Sequence, residues 1–330
     1  MLSKQNDQIM NKCYVGFDTS NYTTSAAVCD EQGRVVANLK IPLPVKEGNR
    51  GLRQSDAVFE HVRNLPTLMK TLKDTLVDYE PVAVGVSATP RQAEGSYMPC
   101  FLSGKAAANA FAAAANCPVY EFSHQDGHVM AAVYSSGEES RLRSSERFLA
   151  FPVSGGTTEL LLVRPRKNDE GFDIELVGET LDINAGQAID RVGVTMGLTF
   201  PAGPAMERLA SEYKGKLPKR SVCVREGSCS LSGVENIASK LLSEGKDKSF
   251  VAAFVFDFVE RTLAEMCAFA IEKYGNMPVL FAGGVMSNKL MRKGLGARFD
   301  ALFAEPEFSA DNAAGISLLC RKRANTDKNG

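Results

Sequence analysis

The chain has no surplus of positive charge: 38 Lys and Arg against 39 Asp and Glu leave a formal net charge of -1 and a pI near 6.4. That balance excludes the global basic field of a nonspecific nucleic-acid binder, so any RNA contact has to come from a local patch. Nowhere do about 18 apolar residues run together as a membrane span requires. The polar start, Met1–Lys12, carries none of the apolar stretch of a signal peptide. CxxC spacing is missing too, the eight cysteines being scattered along the chain, which speaks against a zinc or redox framework and for reduced thiols. A soluble, cytoplasmic protein is the expectation. Histidine is scarce, with three in all, and neither GxGxxG nor the GxxxxGK[ST] of a P-loop is present.

What is there is enough apolar residue, 44% of 330, to bury more than one minimal core, and two lobes are expected. Tyr14–Phe17 and Ser25–Cys29 are short β-rich runs flanking a polar tip, and Phe148–Val153 and Glu159–Val163 repeat that design around Ser154-Gly155-Gly156-Thr157-Thr158. Two such hairpins, one in each half, imply a duplicated domain. His61–Tyr79 and Lys105–Asn116 read as helices, Pro118–Phe122 as a buried strand, Phe250–Tyr274 as a long apolar helix ended by Gly275, and Val279–Ala282 as a strand before a third turn, Gly283-Gly284. Strands alternating with helices mean an α/β architecture with ligands at the carboxyl ends of strands. Residues 135–147, 164–171 and 214–220 read as surface loops and 324–330 as a frayed tail.

Two of the three histidines form Ser123-His124-Gln125-Asp126-Gly127-His128. A separation of four puts both imidazoles on one helix face, where they can grip a single metal ion, although the same spacing fits two satisfied histidines without one. Two imidazoles leave room for a carboxylate and open positions, and Asp311 is the candidate; an Asp at a helix start also caps backbone N–H groups. The glycine turns Ser154-Gly155-Gly156 and Gly283-Gly284 let backbone N–H groups approach phosphate oxygens, and equally mark ordinary tight turns. Asp190 can bond a ribose hydroxyl or merely face solvent, and the loop Phe200-Pro201-Ala202-Gly203-Pro204 can flank an adenine without a side chain in the way.

In order along the chain, Gly16-Phe17-Asp18-Thr19-Ser20, His61-Val62-Arg63, the HxxxH of His124 and His128, Val153-Ser154-Gly155-Gly156, Asp182 to Asp190, Phe200 to Pro204, Leu231-Ser232-Gly233, Ala282-Gly283-Gly284-Val285 with Asn288, and Ser309-Ala310-Asp311-Asn312 resemble the threonylcarbamoyl transferase family, once named O-sialoglycoprotein endopeptidases. The resemblance runs from Val15 to about Leu319. It implies an actin-like fold of two duplicated RNase-H-like lobes with a nucleotide cleft between them. The first lobe spans residues 1–122, with a helix at 311–325 packing back on it, and the second spans 123–310. It further implies one divalent metal, iron or zinc, on His124, His128 and Asp311, and an adenylate site lined by Ser154, Gly155, Gly156, Asp190, Gly203 and Asn288. The ligand would be ATP, AMP or threonylcarbamoyl-adenylate. The acceptor would be the exocyclic amine of the tRNA adenosine beside the anticodon, with partner proteins of a modification complex and no membrane.

The chain departs from the family at several places: Thr157 stands where His is usual, Gln187 where Glu is, and Glu235 near a usual Lys. Thr89-Pro90-Arg91-Gln92 replaces Gly-Pro-Gly-Leu, and Asp18-Thr19-Ser20-Asn21-Tyr22 replaces Glu-Thr-Ser-Cys-Asp. These mark a divergent paralog. A transferase is therefore set against a non-catalytic nucleotide-binding scaffold and a carbamoyltransferase with another acceptor; keeping all three presumed ligands counts against the scaffold. A zinc protease is disfavoured, because HxxxH lacks the Glu that acts as general base in HExxH.

Overall fold

The structure is a computed structural model that describes residues 10–20, 22–44, 52–167, 170–308 and 313–329. Two compact units emerge, one of Met1–Ala131, Arg166–Gly171 and Asp311–Gly330, the other of Ala132–Pro165 and Phe172–Ala310.

In the first unit β1 (Asn11–Asp18), β2 (Thr23–Asp30) and β3 (Val35–Pro42) form an antiparallel meander. After α1 (Gln54–Thr75) the chain adds β4 (Tyr79–Thr89) parallel to β1, and after α2 (Phe101–Ala115) it adds β5 (Val119–Ser123) parallel to β4. The sheet order is β3-β2-β1-β4-β5. α3 (His124–Ser135) starts on the residue after β5 ends.

The second unit repeats the plan. Past α4 (Glu139–Ser144), β6 (Phe148–Pro152), β7 (Glu159–Pro165) and β8 (Phe172–Glu179) form its meander. α5 (Ala185–Thr195), α6 (Gly203–Glu212), the ribbon of β9 (Cys223–Arg225) and β10 (Ser228–Ser230), α7 (Gly233–Ser243) and α8 (Lys248–Tyr274) follow. β11 (Val279–Ala282) then lies parallel to β6, and α9 (Lys289–Gly296) leads to β12 (Ala301–Phe303), parallel to β11. The order β12-β11-β6-β7-β8 is that of the first sheet, three antiparallel strands extended by two parallel ones. The repeat read from two hairpins is thus a repeat of whole sheets.

The N-terminal half of α8 is buried without a break from Val251 to Phe256, as befits a helix segment inside a core, while Asp257, Arg261 and Glu265 line its outer face further on. Each fully buried Val, Leu or Phe there contributes about 1.5 to 3 kcal/mol of transfer free energy. α10 (Ala314–Asn329) returns the chain to the first unit and packs on β1, β2 and β4. A Cβ on Gly16 would lie 2.6 Å from the Ala313 carbonyl oxygen, so the absence of a side chain on β1 lets α10 approach. Among the described residues no helix is long and apolar enough to cross a membrane.

Several details differ from the sequence reading. The first unit extends to Ala131 rather than 122, because α3 is tied to it: Ile316 of α10 packs against Gly127, where a Cβ would come within 2.8 Å of the isoleucine Cδ1. The expected tail from residue 324 is helical through Asn329, and the expected loop at 135–147 contains α4. The helix assigned through Tyr79 ends at Thr75, and Tyr79 opens β4. β5 is an edge strand, half-buried rather than buried, for it has a neighbour on one side only.

Candidate functional site

β1 ends at Asp18, which is 1% exposed and accepts from three directions. The Ser20 amide donates to its Oδ1 at 2.7 Å, and the Ser87 hydroxyl of β4 donates to Oδ2 at 2.7 Å. His124 Nδ1 lies 2.7 Å from the same Oδ2. An ionised carboxylate only accepts, so Nδ1 of His124 carries a proton, and in the neutral ring Nε2 then carries the lone pair. One turn along α3, His128 presents its own Nε2 at 2.8 Å from Nε2 of His124, the rings standing nearly perpendicular at 82°.

Two imidazole nitrogens bonded at about 2.05 Å to one metal at a right angle sit about 2.9 Å apart. A separation of 2.8 Å is that of a hydrogen bond between the two rings, and it is also compatible with two ligands on one metal at a right angle; Asp18 stands where an outer carboxylate would orient the first ring. Asp311, the third expected ligand, lies outside the described residues. Among those that are described, no group of three His, Cys, Asp or Glu side chains is arranged to hold a metal ion. Asp18 is the residue to which sequence reasoning gave no site role, although it lies at the tip of the first hairpin and in the matching segment Gly16–Ser20.

The second unit assembles the other expected residues by backbone. At the β6–β7 tip the Ser154 amide donates to Thr157 O at 2.7 Å, and the Gly156 and Thr157 amides donate to Ser154 Oγ at 3.1 and 3.0 Å. The turn is seated on α5 through Gly186 N to Ser154 O at 3.0 Å and Ala185 N to Thr158 Oγ1 at 3.0 Å. Val285 N to Val153 O, at 3.2 Å, draws in the turn after β11. On α5, Asp190 is half-buried: its Oδ1 accepts from Ala202 N at 2.7 Å and holds the start of α6, next to Gly203. One turn on, Glu207 accepts from Lys289 N at 2.7 Å, beside Asn288. Ser154, Gly155, Gly156, Asp190, Gly203 and Asn288 are thereby linked within one neighbourhood of this unit.

Two observations there point past packing. A Cβ on Gly155, Gly156, Gly203 or Gly284 would meet nothing within 4 Å, and none of the four has a positive φ. Neither sterics nor backbone conformation requires glycine at these positions, unlike Gly283, which has φ +100° and the Val153 carbonyl against it. Asn288, 5% exposed, caps α9 by accepting from Met291 N at 2.9 Å, and its Nδ2 is buried with no hydrogen-bond partner. A buried amide left without a partner is destabilising by about 1 to 3 kcal/mol unless a ligand or solvent satisfies it.

Three of the departures have a local partner. Gln187 completes a capping box with Asn184, and Glu235 pairs with Arg191 at 3.1 Å. Gln92 donates to Asp126 at 2.5 Å and accepts from Arg166 at 2.6 Å. Asp182, quoted only as the start of a matching segment, anchors the Leu231-Ser232-Gly233 turn by accepting from Leu231 N at 2.8 Å and from Ser232 Oγ at 2.6 Å. Burial pushes its carboxyl up, but those bonds outweigh it and hold the group below the ordinary aspartate value.

A sequence profile of the family described as TsaD, tRNA N6-adenosine threonylcarbamoyltransferase, matches residues 49–318. A tRNA N6-adenosine threonylcarbamoyltransferase of Mycoplasmopsis synoviae (strain 53) is 27% identical over 315 residues, which span 94% of this chain and 97% of that protein. Among solved structures, the activator of the 2-hydroxyisocaproyl-CoA dehydratase from Clostridium difficile, with bound ADPNP, aligns at TM-score 0.53 and 11% identity, covering 96% of this chain and 97% of that one. A ROK family glucokinase from Streptomyces griseus, in complex with glucose and AMPPNP, aligns at TM-score 0.50 and 13% identity over 94% of this chain and 99% of that one. At such identities the likeness establishes the fold, the actin-like and sugar-kinase fold. With most of its length matched by the family profile, the chain is a transferase that belongs to the tRNA N6-adenosine threonylcarbamoyltransferase family.

Proposed function

We propose that this protein transfers a threonylcarbamoyl group from an adenylate donor to the exocyclic amine of the tRNA adenosine beside the anticodon, and that it does so with a metal held by His124, His128 and Asp311. The observation that carries the metal reading is the pair of Nε2 atoms facing each other at 2.8 Å, one oriented by Asp18. Family membership supports the group transferred and the acceptor. The two units, with their matching sheets, are taken as the duplicated lobes of the fold, and a tRNA substrate puts the protein in the cytoplasm.

The amine nitrogen attacks the carbamoyl carbon, a C–N bond forms, the C–O bond to the AMP phosphate breaks, and AMP leaves with that electron pair while the amine loses a proton. His124, His128 and Asp311 would hold the metal, iron or zinc, which would supply Lewis-acid polarisation to the reacting group. Asp18 keeps the His124 proton on Nδ1 and the ring in one orientation. In the second unit, Gly155 and Gly156 admit the phosphate to the turn at Ser154 without a side chain in the way, and Gly203 does the same for the base. Asn288 Nδ2 offers its unmade hydrogen bond to the adenine, and the remaining oxygen of Asp190 serves the ribose.

The test supplies purified protein, tRNA and threonylcarbamoyl-adenylate, with and without partner proteins of the source cell, and quantifies the modified adenosine after nucleoside digestion. Product that depends on both substrates is expected. Consumption of the adenylate with transfer to another carbamoyl acceptor eliminates tRNA; metal-loaded protein that turns over no acceptor returns the chain to the scaffold class.

A further inference from the structure

We propose that His61 is a positioning residue for the metal site: it fixes the peptide at Ser20, and through it the carboxylate that orients His124. The inference rests on the metal reading above and concerns a residue to which that reading gives no task.

His61 lies on α1, fully buried, with both ring nitrogens engaged by groups distant in sequence. Nε2 is 2.8 Å from the Ser20 carbonyl oxygen, and Nδ1 is 2.9 Å from the Thr24 hydroxyl, which itself accepts from Asn64 Nδ2 at 3.1 Å. A carbonyl accepts and never donates, so Nε2 carries the proton, and Nδ1 must then accept from Thr24. Every polarity follows: Asn64 donates to Thr24, Thr24 to His61, and His61 to Ser20. Burial favours the neutral ring this chain requires and holds the His61 pKa below the ordinary histidine value, although the Ser20 bond and the Asp18 charge oppose that shift.

Ser20 is gripped at both ends of its backbone. Its carbonyl accepts from His61, and its amide donates to Asp18 Oδ1 at 2.7 Å. Asp18 Oδ2, the other oxygen, receives His124 Nδ1. The path from α1 to the metal-facing nitrogen of His124 is therefore a run of hydrogen bonds, each at 2.7 or 2.8 Å, through groups that are buried except for His124, which is part-buried. A carboxylate whose tip peptide is loose samples more orientations, and the imidazole it holds follows it. Outer partners of metal ligands contribute about 10- to 100-fold in metal affinity.

A merely packed histidine and a positioning one are separated by which nitrogen matters. The amide nitrogen of Gln falls near the place of Nε2, and that of Asn near the place of Nδ1. His61→Gln keeps a donor for the Ser20 carbonyl; His61→Asn keeps a partner for Thr24 and abandons Ser20. The readouts are cobalt(II) affinity by visible absorption, threonylcarbamoyl transfer, and urea unfolding as the control. His61→Gln is expected within about 3-fold of the wild type in cobalt affinity, and His61→Asn weaker by about 10- to 100-fold at matched stability. Equal cobalt affinity in wild type, His61→Gln and His61→Asn overturns the positioning role and leaves the metal reading standing. Wild-type protein that binds no cobalt overturns both. Should neither His61 variant fold, Thr24→Val decides: it is nearly isosteric and removes the hydroxyl that fixes the tautomer. A several-fold loss of cobalt affinity supports the role, and an unchanged affinity overturns it.

Discussion

The two units carry their presumed chemistry in different materials, side chains in the first and backbone in the second. At the tip of β1 the site is built from Asp18, Ser87, His124 and His128, each held by another side chain or a peptide. At the tip of β6 it is built from amides and from glycines that no neighbour requires to be glycine. A side-chain site fails when one functional group is removed, with the scaffold left standing. A backbone site fails when a Cβ fills the approach, and only at positions such as Gly283 does the scaffold fail with it. The comparison therefore separates loss of function from loss of fold by position.

The largest functional effect belongs to the first unit. His124→Ala and His128→Ala should each strip the metal, measured by elemental analysis, and lower threonylcarbamoyl transfer by more than the about 100-fold that removing an outer partner of a ligand gives. Circular dichroism should be nearly unchanged. A variant that unfolds instead would make this region a structural one and dissolve the contrast.

In the second unit the glycines should divide. Gly283→Ala places a Cβ on the Val153 carbonyl at φ +100° and should lower unfolding free energy by about 2 to 4 kcal/mol. Gly155→Ala and Gly156→Ala meet no neighbour, and should change stability by no more than about 0.5 kcal/mol while weakening nucleotide binding in calorimetry. Equal destabilisation by all three would mean that the turn is glycine-rich for packing alone.

Asn288→Asp sharpens the same point. Aspartate keeps the oxygen that caps α9 but replaces the Nδ2 donor, so nucleotide affinity should fall by about 1 to 2 kcal/mol, with urea unfolding run alongside to separate the cost of the buried carboxylate. Unchanged affinity removes Asn288 from the adenine site.

The smallest effect is one of pH. His61 has its folded pKa held below the unfolded value of about 6.5, chiefly by burial. Its neutral ring thus carries no penalty above that pH, and stability is lost as pH falls below it toward and past the folded value, because the unfolded chain binds the proton more readily. His61→Gln should flatten the urea midpoint below about pH 6.5 relative to the wild type, and parallel profiles would show that His61 does not titrate as the pH falls from there.

The hairpins, α2, α8, β11 and the position of HxxxH at a helix start were legible because each is written locally, in periodicity or in a turn. β4 was not, since Pro81 and Gly85 suppress the strand signal in Tyr79–Thr89. The structure explains the glycine: a Cβ there would come within 3.0 Å of Ile316 O on α10. Asp18 was missed as a site residue for a related reason, its partners Ser87 and His124 lying 69 and 106 residues away, where no local pattern reaches. Asp190 was read as a ribose ligand or a solvated helix face, and its bond to Ala202, twelve residues on, became visible only when α5 met α6. The polar end of the last helix predicts fraying from residue 324, yet α10 stays helical through Asn329, with an exposed Arg323–Asp327 pair at 3.2 Å that adds only a few tenths of a kcal/mol.

The claim that the first unit's imidazoles hold a metal needed for transfer is tested most directly by metal removal and return. Protein stripped by chelator, and the same protein reloaded with zinc or iron, are given tRNA and threonylcarbamoyl-adenylate, and threonylcarbamoyladenosine is quantified by mass spectrometry. Product is predicted to vanish on stripping and to return on reloading in the wild type, and not to return in His128→Ala. Stripped protein that makes product at the full rate would contradict the account.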